Sequence, residues 1–475
     1  MRNQVRSGGS VVVPAVNAAH AATVLRSLGR RGVHTIAISE TDDTPAFWSR
    51  YCDERVRVPD PKTDADGYRD ALLALARRDA VAAIVPMRET DQFVLSKYRD
   101  EFAAAGVGTV WPTMPQLRAV HDRFELFAAA ERAGVPVPET QLLTDVEDWD
   151  RERIVKGRWA LLAHDYDDRF PVNGFASPAK TIFLEPGEEP DVDAIVDAMG
   201  HVPIAQGFVD GVEYCMRALY HDGQPVATSQ KRLVRGYKYS RGPSIYHEAV
   251  DIPELERLGL ALLDELDWEG MASVGFLRDS DGTFKLLEVN PRFPASLPMD
   301  VHAGVDYPGL YWELSTTGET STPVDYRPGT ATHLLRGELV HLHSVLTEPN
   351  PLVDRPSALR TAASMAASFV THPRFDHLDP RDPGPFLRDV VNATKSATKS
   401  ILEKVTRRGG ARTETGSGPS DRTSTAVSSD DPAVTRSTTA DSATTDLDDV
   451  ATAGTTETTE EQADQTNDDP RAATD

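Results

Sequence analysis

The sequence predicts an α/β region, then an α+β region, then a long disordered acidic tail. Three observations carry this reading. Over residues 10–115, short apolar runs alternate with helical stretches, the rhythm of a parallel sheet with helices on both faces. From Ile154 to Glu313 the strands become adjacent and antiparallel, with hairpin signals at Asp222-Gly223 and Asp281-Gly282. After Arg408 the chain is Thr, Ser, Asp, Gly and Ala with almost no aromatics, too little apolar surface to offset the entropy of ordering.

The elements follow in order. Val11-Val12-Val13 reads as a strand, Ala18 to Gly32 as a helix ended by its glycine, Val33 to Ile38 and Arg55 to Val58 as further strands. Gly67 to Arg78 is a helix, and Val81 to Val85 a buried strand closed by Pro86. Asp122 caps a helix that ends near Gly134, where Val135-Pro136-Val137-Pro138 runs on as extended chain. One helix, from Pro253 to Leu266, is expected among the antiparallel strands. Residues 316–380 are rich in Pro and Thr and weakly periodic, an extension packed on the core. In 386–405, Phe386, Leu387, Val390, Val391, Ala397, Ile401 and Leu402 recur near helical spacing. That amphipathic helix suits docking on its own chain or a partner; Lys395, Lys399 and Lys404 on its polar side would also suit a membrane surface. The domain plan is therefore 10–115, 116–315, an extension 316–405 and a disordered acidic Ser/Thr-rich tail 406–475.

A chain of 475 residues with 40% hydrophobic residues can bury more than one core. Its net charge of −24 repels nucleic-acid backbones and anionic membranes, so no nucleic-acid partner is expected. Arg outnumbers Lys on an acidic background, a composition suited to a salt-rich, halophilic cytosol. Cys52 and Cys215 are far apart and form no CxxC pair, which speaks against a disulfide framework or zinc site. No signal pattern and no transmembrane run of about 18 apolar residues is present. A cytoplasmic protein is the expectation.

Gly270 to Arg292 carries the strongest chemical signal. With Asp281-Gly282 as a two-residue turn, Ser280 faces Thr283, Leu277 faces Leu286, Gly275 faces Glu288 and Ser273 faces Asn290. Glu288 and Asn290 then share one face of the strand. A carboxylate and an amide oxygen so placed suit Mg²⁺, a hard cation that takes oxygen ligands and phosphate. Arg292 adds a fixed fork for phosphate or carboxylate.

Leu287-Glu288-Val289-Asn290-Pro291-Arg292 resembles the E-x-N-P-R strand of ATP-grasp enzymes, and the resemblance extends upstream over roughly 300 residues. It implies a Rossmann-like pre-ATP-grasp domain followed by a two-lobed ATP-grasp domain. It also implies ATP as cofactor, with Mg²⁺ (or Mn²⁺) held by Glu288 and Asn290, and Arg292 on the transferred phosphate or acyl phosphate. His121-Asp122-Arg123 resembles the domain's entry, with Arg123 where the family has Lys. Val155-Lys156 resembles the strand whose Lys contacts the phosphates. Pro203 to Glu213 resembles the hinge that holds adenine, so Gln206, Phe208 and Val209 would contact the purine and Glu213 the ribose hydroxyls. Gln230 to Arg235 resembles a segment facing phosphate and substrate, which assigns Gln230 and Arg235 to the nucleotide. Ser240-Arg241-Gly242-Pro243-Ser244 stands where relatives have a Gly-rich loop. Arg88-Glu89-Thr90-Asp91 follows the fourth strand, where ligands bind in open α/β sheets.

Position 275 departs from the family pattern: Gly stands where Asp or Glu is usual, directly across from Glu288. The resemblance implies a carboxylate–amine ligase (less readily a carboxylate–thiol ligase) in which Lys156 and Arg292 are catalytic and an acyl phosphate is the intermediate. The substrates would be a small-molecule carboxylate and an amine, with a protein or peptide end as a further acceptor, and a homodimer is compatible. The absence of a biotin-attachment segment speaks against a fused biotin carboxylase. Gly275 supports the alternative, a catalytically impaired ATP-binding sensor or scaffold.

Overall fold

The computed structural model describes residues 9–15, 19–239, 242–348 and 355–395. The expectations for residues 396–475, and for Ser240 and Arg241, lie outside them.

The first elements are β1 (Ser10–Pro14), α1 (Ala19–Arg30), β2 (His34–Ser39), β3 (Glu54–Arg57), α2 (Ala65–Ala76), β4 (Val81–Ile84), α3 (Glu89–Lys97) and α4 (Arg99–Ala104). The four strands pair in parallel in the order β3-β2-β1-β4. Val11, Val12 and Val13 are fully buried, as a strand covered on both faces requires.

Two helices, α5 (Met114–His121) and α6 (Arg123–Arg132), lead into the second part. Asp122 caps α6, accepting from the Phe124 and Glu125 amides at 3.1 and 3.5 Å. There follow β5 (Thr140–Leu142), β6 (Arg153–Lys156), β7 (Leu162–Ala163), β8 (Phe175–Ala176), β9 (Ile182–Leu184), α7 (Val192–Met199) and β10 (Ile204–Gly207). They form a small antiparallel sheet, β5-β10-β6-β9, and a separate β7-β8 pair.

The large sheet is built from β11 (Gly211–His221), β12 (Gln224–Gly236), β13 (Ser244–Ala249), β14 (Gly270–Asp279) and β15 (Phe284–Asn290), with α8 (Pro253–Glu265) between β13 and β14. It continues through α9 (Leu297–His302) and α10 (Tyr307–Thr317) to an edge strand, β16 (Ala331–His333). The order is β15-β14-β11-β12-β13-β16, antiparallel throughout. The helix expected at 253–266 is present, but α7, α9 and α10 were not foreseen in that span. The weakly periodic 316–380 segment contains β16, α11 (Leu335–Thr347) and α12 (Ala358–Thr371); α11 lies against β13 and α12, and what these helices bury is largely polar, Glu338, His341 and Ser344 on α11 and Thr361 and Ser368 on α12.

Residues 384–395 are helical, two residues earlier than expected. This stretch docks on its own chain: Arg388 pairs with Asp43 and lies over the Trp48 ring, and Lys395 sits 3.5 Å from Asp43. Nearby, buried Asp382 accepts from Arg26 of α1 at 2.8 Å and from the Arg50 amide at 2.7 Å.

Both hairpin turns of the large sheet contain the expected Asp-Gly pair, and both depart from ideal pairing. At Asp222-Gly223 the turn has two residues, with φ of 51° and 71°. A bulge then shifts the ladder, so Cys215 faces Lys231. An unbroken ladder would have set it opposite Gln230. At the second hairpin the turn runs from Asp279 to Thr283, whose backbones bond at 3.0 Å. Leu277 therefore faces Lys285, not Leu286. A bulge between Gly275 and Phe276 then restores the expected pairs, Gly275 with Glu288 and Ser273 with Asn290.

That second bulge decides which way the side chains of β15 point. Phe284, Leu286, Glu288 and Asn290 would share one face of a regular strand. The extra residue, Leu287, turns Phe284 and Leu286 into the core with Val289, against Val274 and Phe276. It leaves Glu288 and Asn290 on the opposite face, toward a cleft.

Candidate functional site

The cleft lies between the large sheet and the carboxyl ends of β1 and β4, the position where open α/β sheets bind ligands. Alternation along β11 brings Glu213, Cys215 and Arg217 to it, while Tyr214, Met216 and Ala218 face the core. Lys231, Ser273, Glu288 and Asn290 join them from neighbouring strands.

Glu288 sits among charges. Asn290 Nδ2 donates to its Oε1 at 2.9 Å. Burial pushes its carboxyl up and Glu213 adds to this, against Asn290, Arg123 and Lys156. Burial and the Arg123 charge bring Lys156, at the end of β6, down to about 7, with Glu288 opposing. Arg123 donates to the Gly157 and Trp159 carbonyls at 2.7 and 3.1 Å, and burial lowers its pKa. The carboxylates of Glu288 and Glu89 oppose that shift.

Lys231 Nζ lies 3.0 Å from Glu213 Oε1. Burial lowers the Lys231 pKa, but the neighbouring Cys215 and Glu213 outweigh it and the net shift is upward. Arg292 Nε lies 3.2 Å from Glu89 Oε1, and Glu89 Oε2 is 3.0 Å from His121 Nε2. Burial pushes Glu89 up, yet the His121 hydrogen bond and the charges of Arg292 and Arg123 win, holding it below the usual carboxylate range. Arg217, 1% exposed, is clamped by Asp300 and by Ser296 Oγ at 2.5 Å.

Of the residues singled out by sequence, Arg123, Glu213, Glu288, Asn290 and Arg292 line one cleft, and the charges of Arg123 and Glu288 act directly on Lys156. Gln206, Phe208 and Val209 lie on or just beyond β10, outside the lining. Gln206 is buried and donates to Thr140 Oγ1 at 2.9 Å; Phe208 meets Phe183 edge to face at 6.1 Å.

Gln230 and Arg235 do not reach the cleft. Gln230 is turned away by the bulge, and its amide latches the backbone of Ile252 at 2.8 and 3.2 Å. Arg235 points to the carboxyl-terminal helices, where Glu338 Oε2 holds it at 2.6 Å. Of the side chains on β14 that could make up for Gly275, Asp279 stays at the hairpin end, 3.2 Å from Lys285, and Ser273 lines the cleft. Lys231 and Glu89, from the two segments expected to face ligand, line the cleft, and Arg217 and His20 line it without having been singled out. Alternation from Glu213 would have found Arg217; His20 carries no sequence signal.

The oxygen donors fit a magnesium ion. Glu288 and Asn290 present hard oxygens on one face, and phosphate and water complete such a shell. Among the described residues no group of three or more His, Cys, Asp or Glu gathers to hold a metal unaided. A Cβ at Gly275 would stand 3.4 Å from Glu288 Cγ, so the position adjoins the site but supplies no oxygen.

Residues 204–336 match a family described as ATP-grasp in the biosynthetic pathway with Ter operon. No curated protein sequence matches the chain. Biotin carboxylase from Campylobacter jejuni, solved with β,γ-ATP, superposes with a TM-score of 0.52 at 14% identity, over 68% of this chain and 74% of that one. N5-carboxyaminoimidazole synthetase from Staphylococcus aureus gives 0.51 at 13%, over 70% and 83%. Pyruvate carboxylase from Rhizobium etli gives 0.52 at 17%, over 68% of this chain but only 30% of that longer one.

Proposed function

We propose that this chain, which carries the ATP-grasp fold, is an ATP-dependent ligase that joins a carboxylate to an amine and releases ADP and phosphate. The observation that carries the reading is the meeting of Glu288, Asn290, Arg292, Arg123 and Glu213 in one cleft beside Lys156. Lys156 and Arg123 would neutralise the β- and γ-phosphates, and Glu213, held through Oε1 by Lys231, would accept from the ribose hydroxyls. Glu288 and Asn290 would hold magnesium, which lowers the charge on the phosphates when bound. A substrate carboxylate oxygen attacks the γ-phosphorus and ADP leaves. Arg292, steadied by Glu89, then holds the acyl phosphate while the amine attacks its carbonyl carbon and phosphate departs. The biosynthetic setting of the matched family agrees with a bond-forming reaction.

The test is ADP release from MgATP in concentrated KCl against pools of carboxylates and amines, with Glu288→Ala as control. The expected result is ADP that appears only with a particular carboxylate and vanishes in the variant. ADP release equal in both proteins, or in no pool, would sink the reading.

Gly275 favours a second reading, a nucleotide-binding sensor without turnover. Metal stoichiometry separates the two: two Mg²⁺ per bound ATP supports the ligase, one or none the sensor.

A further inference from the structure

We propose that the crevice at the carboxyl ends of β1 and β4 is the amine pocket, where the bare Nδ1 of His20 accepts an N–H from the nucleophile. The inference rests on the ligase reading and assigns the half of the cleft that nucleotide does not explain.

His20 stands in the first turn of α1, 3% exposed, and lines the cleft. Its Nε2 lies 3.3 Å from the Met87 carbonyl oxygen. A carbonyl can only accept, so Nε2 carries the ring proton and Nδ1 is a lone pair. That Nδ1 is buried and has no hydrogen-bond partner. Such an orphan is unfavourable unless a ligand satisfies it, and here the satisfying group must be a donor.

A carboxylate or phosphate oxygen is repelled by this lone pair, which leaves the amine as the substrate half that fits. Burial, reinforced by the charge of Arg292, keeps the imidazole neutral, with its pKa brought down to about 3. His20 therefore orients the amine without removing its proton. As the C–N bond forms and the C–O bond to phosphate breaks, the surplus amine proton leaves with the phosphate.

A second orphan supports the same pocket. Thr90 Oγ1 is buried without a partner in a residue 3% exposed, and Thr90 also lines the cleft. Its hydroxyl can accept a second N–H or donate to a neighbouring group of the ligand. Arg292, whose charge acts on His20, is also the residue placed to hold the acyl phosphate, so an amine bound at His20 lies beside its electrophile.

The experiment separates the two half-reactions in the full chain. Scrambling of ¹⁸O between bridging and non-bridging positions of ATP, with carboxylates but no amine, reports the acyl phosphate alone. Product formation with the amino acids, ammonium and short polyamines as probes then gives the amine KM. His20→Gln keeps an N–H for Met87 but loses the Nδ1 acceptor; His20→Asn returns an oxygen near that place. The expected result is scrambling within about twofold of the native rate in both variants. The amine KM should rise at least about tenfold in His20→Gln and fall most of the way back in His20→Asn. Native scrambling with an unchanged amine KM overturns the amine pocket and leaves the ligase standing. The amine pocket is equally overturned if the carboxylate KM shifts instead, if scrambling and product formation fall together, or if no amine is used. No scrambling with any carboxylate in the native protein overturns the ligase and the amine pocket together.

Discussion

The two hairpins of the large sheet depart from ideal pairing in different places. In β11–β12 the turn is the expected two residues, and the bulge beyond it moves the ladder by one. In β14–β15 the turn is longer than expected, and the bulge moves the ladder back. The first hairpin thus exchanges Gln230 for Lys231 at the cleft, while the second delivers Glu288 and Asn290 where an ideal turn would have put them. A turn motif sets pairing near the turn; a bulge decides which residues reach the site at the far end.

Four measurements break or sharpen this contrast. The largest effect is expected at the second hairpin: Glu288→Gln should lower kcat about 10³-fold, the scale of losing one group aimed at developing charge. A loss below tenfold would mean that β15 does not carry the metal. At the first hairpin, Lys231→Met should weaken ATP binding about 10- to 100-fold, the scale of a hydrogen bond to a charged group. Its neighbour gives the opposite pattern: Gln230→Leu should leave ATP affinity unchanged but cost about 1–3 kcal/mol in denaturant unfolding, because the Ile252 backbone groups lose their partner. Reversed outcomes for Lys231 and Gln230 would refute the bulged register.

The smallest effect concerns protons. Lys156 titrates at about 7 because burial disfavours its charge, so it is charged at pH 6 and largely neutral at pH 8. Phosphate favours the charged form, so ATP binding should take up as much as about one proton at pH 8 and almost none at pH 6, with affinity falling as pH rises. Calorimetry in buffers of different ionisation enthalpy reads this directly. Uptake that persists in Lys156→Met would assign the proton to another group.

Most of the architecture was legible because its signals are local. Alternating apolar runs announced the parallel sheet, Asp122 announced α6, and two Asp-Gly pairs announced the hairpins. Within the site, Glu288, Asn290 and Arg292 were legible as a motif, and Arg123 as a cation at a helix start. What stayed hidden depends on long-range geometry. Neither bulge has a residue signature. Arg235 belongs to Glu338, about a hundred residues later, and the role of Glu89 rests on Arg292 crossing from another sheet. The apolar stripes of α11 and α12 are broken by Ser, Thr and His that bury themselves in polar contacts.

The clamp on Arg26 bears on how the chain is made. Arg26 belongs to α1, yet its counter-charge, Asp382, is synthesised 356 residues later. In an amino-terminal fragment ending near residue 115 the partners of Arg26, the Asp382 carboxylate and the His377 and Asp382 carbonyls, are all missing, and its guanidinium turns to water instead. The covering of the first sheet's helix layer is thus completed from the far end of the chain, where Asp382 joins Arg26, Ser49 and Arg50. Limited proteolysis that severs the extension should speed amide exchange in α1 relative to the intact chain, while α1 stays packed on β1 and β2.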